Sequence, residues 1–256
     1  MESLEVTPSF WKSKRVLVTG HTGFKGSWLT LWLKKLGAEV IGYSNSIPTT
    51  PSLYESSGIN SDIISIIGDI RDLSKLQDTS SEYNPEIIIH MAAQSLVNNS
   101  YNDPIETYST NVMGTVNLLE ATRKSNDVSV IINVTSDKCY ENKETMNGYV
   151  ETDQLGGYDP YSNSKACSEL ITSSFRNSFF NDNPSKNNLA SVRAGNIIGG
   201  GDWSENRLIP DIMKSLQNDI SLKIRNPNGI RPWQHVLEPL NGYLVLAEHL
   251  WNDGHK

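Results

Sequence analysis

The sequence has few of the features that mark disulfide-rich, metal-binding, nucleic-acid-binding or membrane proteins. Its two cysteines, Cys139 and Cys167, have neither the number nor the spacing of a disulfide framework or a zinc site. Lys and Arg total 22 against 29 Asp and Glu, and no basic stripe runs along the chain. No apolar run has the length of a membrane span, and residues 1–14 lack a signal-peptide pattern. We expect a cytoplasmic protein with no metal site, no nucleic-acid partner and no membrane contact.

Short β-branched segments alternate with longer segments of helical period along most of the chain. This alternation predicts an α/β fold of the Rossmann type, with a doubly wound parallel sheet covered on both faces. The predicted strands are residues 15–19, 39–43, 63–67, 86–91, 128–135 and 189–194. Beyond about Gly195, glycines and prolines break the chain into short pieces, which indicates a small lobe or loops over a site.

A glycine-rich turn lies between the first predicted strand and the first predicted helix. Gly20, Gly23 and Gly26 permit a tight turn, after which a pyrophosphate can bind the amide groups at the helix N-terminus. An ordinary strand-to-helix turn is the alternative. His21 and Lys25 lie beside this turn and are either pyrophosphate contacts or exposed loop residues.

The second predicted strand lacks the acidic residue that commonly holds the adenosine ribose of a dinucleotide. It is followed by Ser44 and Asn45, so neither a carboxylate nor an arginine for a 2′-phosphate is present. This position therefore leaves the choice between NAD and NADP open.

Tyr161 and Lys165 are four residues apart in a predicted helix that Asp159 can cap, so they share one helix face. A nearby ammonium group and a cationic nicotinamide ring stabilise a phenolate, which makes the tyrosine a candidate base. Ser136, Asp137 and Lys138 come directly after the fifth predicted strand. The carboxyl ends of parallel strands gather ligands, so these residues are expected near the tyrosine. A capped strand end with a solvated salt pair is the alternative.

These motifs together resemble the extended short-chain dehydrogenase/reductase family, and within it the CDP-glucose 4,6-dehydratases. The resemblance runs from Trp11 to Trp251. It is carried by TGHTGFKGSW, DIRD, HMAAQSLV, TNVMGT, TSDKCYEN, GGYDPYSNSKACSE, RAGNIIGGGDW, RLIPD and RPWQHVLEPL. At the position of Lys138, dTDP-glucose dehydratases have a glutamate, whereas the CDP-sugar enzymes have a lysine, as this chain does. The CDP-sugar enzymes also lack the acidic ribose ligand.

The resemblance implies an NAD-dependent lyase in which hydride leaves C4 of the sugar and returns to C6. Tyr161 and Lys165 would act with Ser136 at the 4-hydroxyl, while Lys138 and Asp137 would remove water across C5 and C6. The implied cofactor contacts are Gly20, His21, Gly23, Phe24, Lys25, Gly26, Asp69, Ile70, Ala92, Ala93, Tyr161 and Lys165. The implied substrate contacts are Gln94, Ser95, Asn196, Arg207 and Arg231, with Asn111 a weaker candidate and His235 more structural than catalytic.

The resemblance further implies residues 1–195 as the dinucleotide-binding domain and residues 196–256 as part of a nucleotide-sugar lobe, whose remaining part we expect to be missing. It implies CDP-glucose as substrate and a homo-oligomer, a dimer or tetramer, paired through residues 105–124 and 160–180. Two alternatives stay open. One is another nucleotide-sugar dehydratase, epimerase or reductase of the same fold, and the other is a non-catalytic NAD-binding module.

Overall fold

A six-stranded parallel sheet forms the centre of the computed structural model, which describes residues 5–125, 127–145, 147–180, 188–222, 224 and 226–254. The strands lie in the order β3-β2-β1-β4-β5-β6. Their bounds are β1 Arg15–Thr19, β2 Glu39–Ser44, β3 Ile64–Ile67, β4 Ile87–His90, β5 Val130–Val134 and β6 Asn188–Val192. The order reverses between β1 and β4, where open parallel sheets form a ligand crevice at the strands' carboxyl ends. The predicted fold class and all six predicted strands are confirmed.

Helices connect the strands. Their bounds are α1 Pro8–Trp11, α2 Phe24–Lys35, α3 Leu53–Ser56, α4 Leu73–Tyr83, α5 Val97–Asn102, α6 Pro104–Tyr108, α7 Gly114–Arg123, α8 Pro160–Phe175, α9 Leu208–Gln217 and α10 Leu237–Asp253. Single π-helical turns, Ser109–Met113 and Arg176–Phe180, extend the α6–α7 segment and α8. Short 3₁₀ turns lie at Ile59–Ser61 and Asp137–Cys139.

The helix ends follow local sequence signals. Gly37 adopts a positive φ of 84° after α2, a conformation that a residue without Cβ reaches without strain. Asp159 caps α8 by accepting a hydrogen bond from the Ser162 amide at 2.9 Å, and Pro160 occupies the first turn. The predicted cap of α8 at Asp159 is therefore confirmed.

Both faces of the sheet are covered by apolar helix faces. On one face, α2 and α10 pack with Val16, Val18 and Ile89. On the other, α4 and α7 pack with Leu17 and Ile88. Alternate residues of β1 and β4 thus enter opposite cores, because successive side chains of a strand point to opposite faces. No helix among the described residues is long and apolar enough to cross a membrane.

A second, two-stranded parallel sheet follows β6. It pairs β7, Asn196–Ile198, with β8, Trp233–His235. The chain then returns to the large sheet as α10, whose Leu240 and Leu244 are fully buried in its core. The domain boundary at residue 195 stays a prediction, and α10, which lies beyond it, packs on the dinucleotide-type sheet.

Candidate active site

The glycine turn between β1 and α2 is shaped by close backbone contacts. A Cβ on Gly20 would lie 2.8 Å from the Ala92 nitrogen, and one on Gly26 would lie 2.0 Å from the Gly20 oxygen. A Cβ on Gly23 would meet only the Gly20 oxygen, at 3.3 Å. No side chain caps the amide groups at the start of α2. Gly20 and Gly26 therefore permit tight packing, whereas Gly23, with a single neighbouring atom, is the least crowded of the three, at a helix N-terminus that suits a pyrophosphate.

His21 lies inside the protein and faces the second and third strands. Its Nδ1 lies 2.9 Å from the Ser44 hydroxyl, and its Nε2 lies 2.8 Å from the Ser65 hydroxyl. The ring packs over Gly42, where a Cβ would come within 2.3 Å of it. Burial lowers the His21 pKa from 6.5 to about 4, so the ring is neutral at pH 7. The alternative of an exposed loop residue is wrong, and a pyrophosphate contact by His21 stays a prediction.

The expected adenine side of the crevice contains an ordered ion-pair cluster. Asp69 accepts hydrogen bonds from Arg71 Nη2 at 2.6 Å and Nε at 2.9 Å. The Arg71 guanidinium holds the pKa of the Asp69 carboxyl below its ordinary value. Beneath it, the Tyr43 hydroxyl donates to the Asp69 carbonyl at 2.9 Å. Ile70 is buried against Gly114. This cluster fixes the backbone of Asp69 and Ile70 beside the ends of β2 and β3.

The tyrosine and lysine of α8 meet the end of β5. The buried Lys165 ammonium donates to the Val134 carbonyl at 3.1 Å. Burial lowers the Lys165 pKa to about 8, and the negative charge of Glu169 opposes this shift. Burial raises the Tyr161 pKa above its ordinary value, while a hydrogen bond with Ser136 acts in the opposite direction. Without a further positive charge near the ring, the phenol stays protonated at neutral pH.

Ser136, Asp137 and Lys138 form one compact turn after β5. The Ser136 hydroxyl accepts from the Lys138 amide at 3.2 Å and donates to Asp137 Oδ1 at 3.1 Å. Lys138 Nζ lies 3.1 Å from the same carboxylate oxygen. The predicted proximity of this turn to Tyr161 is confirmed, because Ser136 lies near enough to the phenol to act on the Tyr161 pKa. A capped turn and a salt pair are both present, so a general acid and a general base lie side by side in a partly exposed position.

The predicted substrate contacts are brought together only in part. Arg207 donates to Asp202 at 3.1 Å and to the Ser95 hydroxyl at 3.2 Å, which joins the segment before α9 to the segment after β4. Its positive charge lowers the pKa of both Tyr161 and Lys25, so Arg207 lies near the start of α8 and the glycine turn. The buried Asn196 Oδ1 has no hydrogen-bond partner in the described structure. A buried acceptor without a partner is costly, and a ligand group that donates a hydrogen bond would satisfy it.

The remaining predicted substrate residues have other roles in the described structure. The Gln94 backbone N–H donates to Asn111 Oδ1 at 2.8 Å. Asn111 Nδ2 donates to the Ser164 hydroxyl on α8 at 2.9 Å. The Asn111 side chain therefore links the backbone of the loop after β4 to the catalytic helix. Arg231 is exposed and donates to the Ile230 carbonyl. His235 accepts from the Leu237 amide at 3.3 Å, in line with the structural role expected for it.

A contact between Lys25 and Tyr243 was not predicted from the sequence. Lys25 Nζ, on the glycine turn, donates to the Tyr243 hydroxyl of α10 at 3.3 Å. Burial lowers the Lys25 pKa to about 7, with further lowering by the charges of Lys165 and Arg207. A cation thus lies between the cofactor turn and the catalytic helix. The 218 residues that separate Lys25 from Tyr243 explain why no local pattern indicates the contact.

Comparison with known proteins agrees with this geometry. The family model described as GDP-mannose 4,6 dehydratase matches residues 17–253. A CDP-glucose 4,6-dehydratase of Salmonella typhimurium is 58% identical over 254 residues, which cover 98% of this chain and 71% of that protein. A UDP-glucose 4-epimerase of Halalkalibacterium halodurans is 28% identical and covers 93% of this chain and 72% of the relative.

Solved structures show the same fold. DesIV, a dTDP-glucose 4,6-dehydratase from Streptomyces venezuelae solved with NAD and TYD bound, superposes with a TM-score of 0.79 at 26% identity, covering 91% of this chain and 72% of that chain. A Thermotoga maritima UDP-glucose 4-epimerase with UDP-glucose gives a TM-score of 0.81 at 23% identity, covering 91% and 73% of the two chains. The chain therefore belongs to the GDP-mannose 4,6 dehydratase family of Rossmann-type nucleotide-sugar enzymes.

Proposed function

We propose that this chain is an NAD-dependent lyase that converts CDP-glucose to CDP-4-keto-6-deoxyglucose. The Asp137–Lys138 pair at 3.1 Å, beside Ser136 and Tyr161, is the observation that carries the proposal. Oxidation of an alcohol requires a base such as Tyr161, but removal of water also requires an acid and a second base. The 58% identity to a CDP-glucose 4,6-dehydratase supports both the reaction and the nucleotide.

The glycine turn is the proposed NAD pyrophosphate site, because Gly23 leaves space there and the amides of α2 have no side-chain cap. Asp69 and Ile70 would lie at the adenine, and Phe24, Ala92 and Ala93 along the dinucleotide. The structure of a related dehydratase with bound NAD supports this choice of cofactor. When bound, NAD accepts a hydride from the substrate and later returns it, so no cofactor is consumed.

The residues of the chain carry the proton transfers. Tyr161 takes the proton of the sugar 4-hydroxyl, assisted by Ser136, while the ammonium of Lys165 stabilises the phenolate. The 4-ketone acidifies the hydrogen at C5. Transfer of the shared proton from the Lys138 ammonium to the Asp137 carboxylate leaves Lys138 neutral and Asp137 protonated. Lys138 then removes the C5 proton, and Asp137 gives its proton to the departing 6-hydroxyl, which leaves as water. Asn196 and Arg207 are the proposed contacts of the nucleotide sugar, since one has an unpaired buried acceptor and the other a diphosphate-binding guanidinium.

A 4-epimerase is the second candidate function, since epimerases of 28% identity share most of the chain. Epimerisation needs the tyrosine but no elimination of water. The Asp137–Lys138 pair therefore favours the dehydratase. A non-catalytic NAD-binding module is disfavoured because Tyr161 and Lys165 both lie against the end of β5, beside the Asp137–Lys138 pair.

The test is to incubate the purified chain with NAD and, separately, CDP-glucose, dTDP-glucose, UDP-glucose or GDP-mannose. We expect the alkali-induced absorbance of a 4-keto-6-deoxy sugar with CDP-glucose, abolished by Tyr161→Phe and by Lys138→Met. Product from another nucleotide sugar alone would overturn the CDP assignment. A C4 epimer without loss of water would favour the epimerase. No product with NAD binding intact would favour the binding module.

A homo-oligomer in the cytoplasm is also proposed. Helix α8 and the α6–α7 segment each expose apolar side chains, including Ile105, which is 81% exposed, Met113 and Leu170. An exposed apolar surface of this kind is typical of a protein interface. Two free cysteines fit a reducing compartment. Light scattering after size-exclusion chromatography should give a dimer or tetramer, and Ile105→Lys with Leu170→Lys should give a monomer.

A further inference from the structure

A buried carboxylate, Glu169, lies one helical turn beyond Lys165 and is not used in the chemistry above. Its side chain is 5% exposed. It accepts a very short hydrogen bond from the Thr135 hydroxyl and one of 2.7 Å from the Ser191 hydroxyl. Arg193 adds two donors, Nε at 3.0 Å and Nη2 at 2.9 Å. Four hydrogen bonds from strand ends thus converge on one carboxylate of the catalytic helix.

Three consecutive residues at the end of β5 are contacted by three side chains of α8. The Val134 carbonyl accepts from Lys165, the Thr135 hydroxyl donates to Glu169, and the Ser136 hydroxyl bonds with Tyr161. The Glu169 contact is therefore the middle one of the set. Loss of this contact would let the turn that carries Ser136 move relative to Tyr161.

Arg193 extends the same contacts to the surface loop that follows the catalytic turn. Its guanidinium lies 4.8 Å from the centre of the Tyr140 ring, and it donates to the Glu151 carbonyl at 3.2 Å. Tyr140 stacks on Tyr149 at 5.0 Å. The carboxylate of Glu169 is thus tied to both sides of the Lys138 turn.

We propose that Glu169 is a positioning residue for the proposed dehydratase. It holds the Ser136 turn against Tyr161 and supplies the negative charge that keeps Lys165 an ammonium ion.

The charges around Lys165 determine whether the Lys165 pKa rises or falls when Glu169 is replaced. Glu169 on its own helix raises the Lys165 pKa, against burial. The Cys139 thiol after β5 also faces Lys165, but burial raises the Cys139 pKa to about 11, so the thiol is uncharged where Lys165 titrates. Lys25 on α2 and His90 on β4 also face it, since the charge of Lys165 lowers the pKa of each. Arg193 and two hydroxyl groups keep the Glu169 pKa low, so the carboxylate is ionised at neutral pH. Removing its charge lowers the Lys165 pKa further, so Lys165 loses its proton at a lower pH.

The test compares Glu169→Gln with the parent and with Asp253→Asn, a control that removes an exposed carboxylate paired with His249 at the end of α10. We expect the alkaline limb of the kcat–pH profile to move down by about one pH unit in Glu169→Gln. We expect kcat at pH 8 to fall at least about tenfold. The dissociation constant of NAD should stay within about threefold, because Glu169 does not reach the glycine turn. The control should match the parent in its kcat–pH profile, in kcat at pH 8 and in the dissociation constant of NAD.

Glu169→Gln leaves the Arg193 charge buried without its partner, so the variant can lose stability for that reason alone. The double variant Glu169→Gln/Arg193→Met removes both charges. The proposal expects stability in urea to recover while the alkaline limb stays shifted. Recovery of stability together with a parental pH profile would overturn it, because Glu169 would then be only a structural partner of Arg193.

A second readout separates this inference from the proposed function. The absorbance change of phenolate at 295 nm, taken as the difference between each protein and its Tyr161→Phe version with NAD bound, reports the Tyr161 titration without any sugar. Tyr161 should titrate at a higher pH in Glu169→Gln than in the parent. An unchanged titration would refute the role of Glu169 even where CDP-glucose is turned over. A shifted titration without turnover of any nucleotide sugar would support that role and refute the proposed substrate.

Discussion

Lowering the pH from 7 to 5 is expected to weaken the fold through two buried histidines, His21 and His90. Burial lowers the pKa of His21 from 6.5 to about 4 and that of His90 from 6.5 to about 3. Below pH 6.5 the unfolded chain binds a proton at each position while the folded chain does not. The free energy of unfolding therefore falls as the pH falls through this window.

The size of the loss follows from these values. One pKa unit corresponds to about 1.4 kcal/mol, so each histidine contributes a loss of about 2 kcal/mol between pH 7 and 5. His21 bonds with Ser44 and Ser65, whereas His90 bonds with Thr19, so the two losses should add to about 4 kcal/mol. Carboxylates of the unfolded chain titrate near pH 4 and contribute little above pH 5. The expected loss is a large share of a total stability of about 5–15 kcal/mol.

The assay is urea unfolding followed by tryptophan fluorescence at pH 7 and pH 5. His90→Gln should lose about 2 kcal/mol over this interval where the parent loses about 4 kcal/mol. His249→Gln is the matched control, since His249 lies on α10 with its side chain 54% exposed, and it should behave as the parent. A full parental loss in His90→Gln, with an unchanged denaturant dependence, would refute the assignment of the pH effect to His90.

Three further predictions concern single side chains. Gly26→Ala should weaken NAD binding at least about tenfold in a fluorescence titration, because the new Cβ would lie 2.0 Å from the Gly20 oxygen and displace the turn. Trp11→Phe should lower the free energy of unfolding by about 2 kcal/mol in urea, since it removes the 2.7 Å hydrogen bond from the indole to the buried Glu248. Lys25→Met should raise the free energy of unfolding at pH 7 by about 2 kcal/mol, because burial disfavours the Lys25 ammonium and lowers its pKa to about 7. An unchanged or lower free energy of unfolding would show that burial of this ammonium does not destabilise the fold.

The fold could be predicted because its signals are local. The bounds of β1, residues 15–19, match the prediction residue for residue, and the cap at Asp159 and the turn at Gly37 were evident from residue type. The grouping of the proposed catalytic residues was also predictable, since Tyr161 and Lys165 lie one helical turn apart and the carboxyl ends of parallel strands meet at one edge.

The supporting contacts could not be predicted in the same way. Glu169 contacts Thr135 and Ser191 only because β5 and β6 are neighbours in the sheet, which depends on strand order rather than on any local pattern. The burial of His21 likewise depends on Gly42 of the adjacent strand, which leaves room for the imidazole ring. Glu169 and His21 thus lie within the quoted motifs GGYDPYSNSKACSE and TGHTGFKGSW, but the contacts they make depend on which strands are neighbours in the sheet.

The position of α10 bears on how the protein reaches its folded state. Glu248 accepts hydrogen bonds from Thr7 and Trp11, 241 and 237 residues away, and Leu244 closes the core over Val16. During synthesis the part of this sheet face that α10 covers must therefore stay exposed until nearly all of the described chain has been made, although α2 covers the rest earlier. Contacts of such long sequence separation slow folding and expose the nascent chain to aggregation. Production in cells should accordingly depend on chaperone capacity more strongly than the stability of the finished fold would suggest.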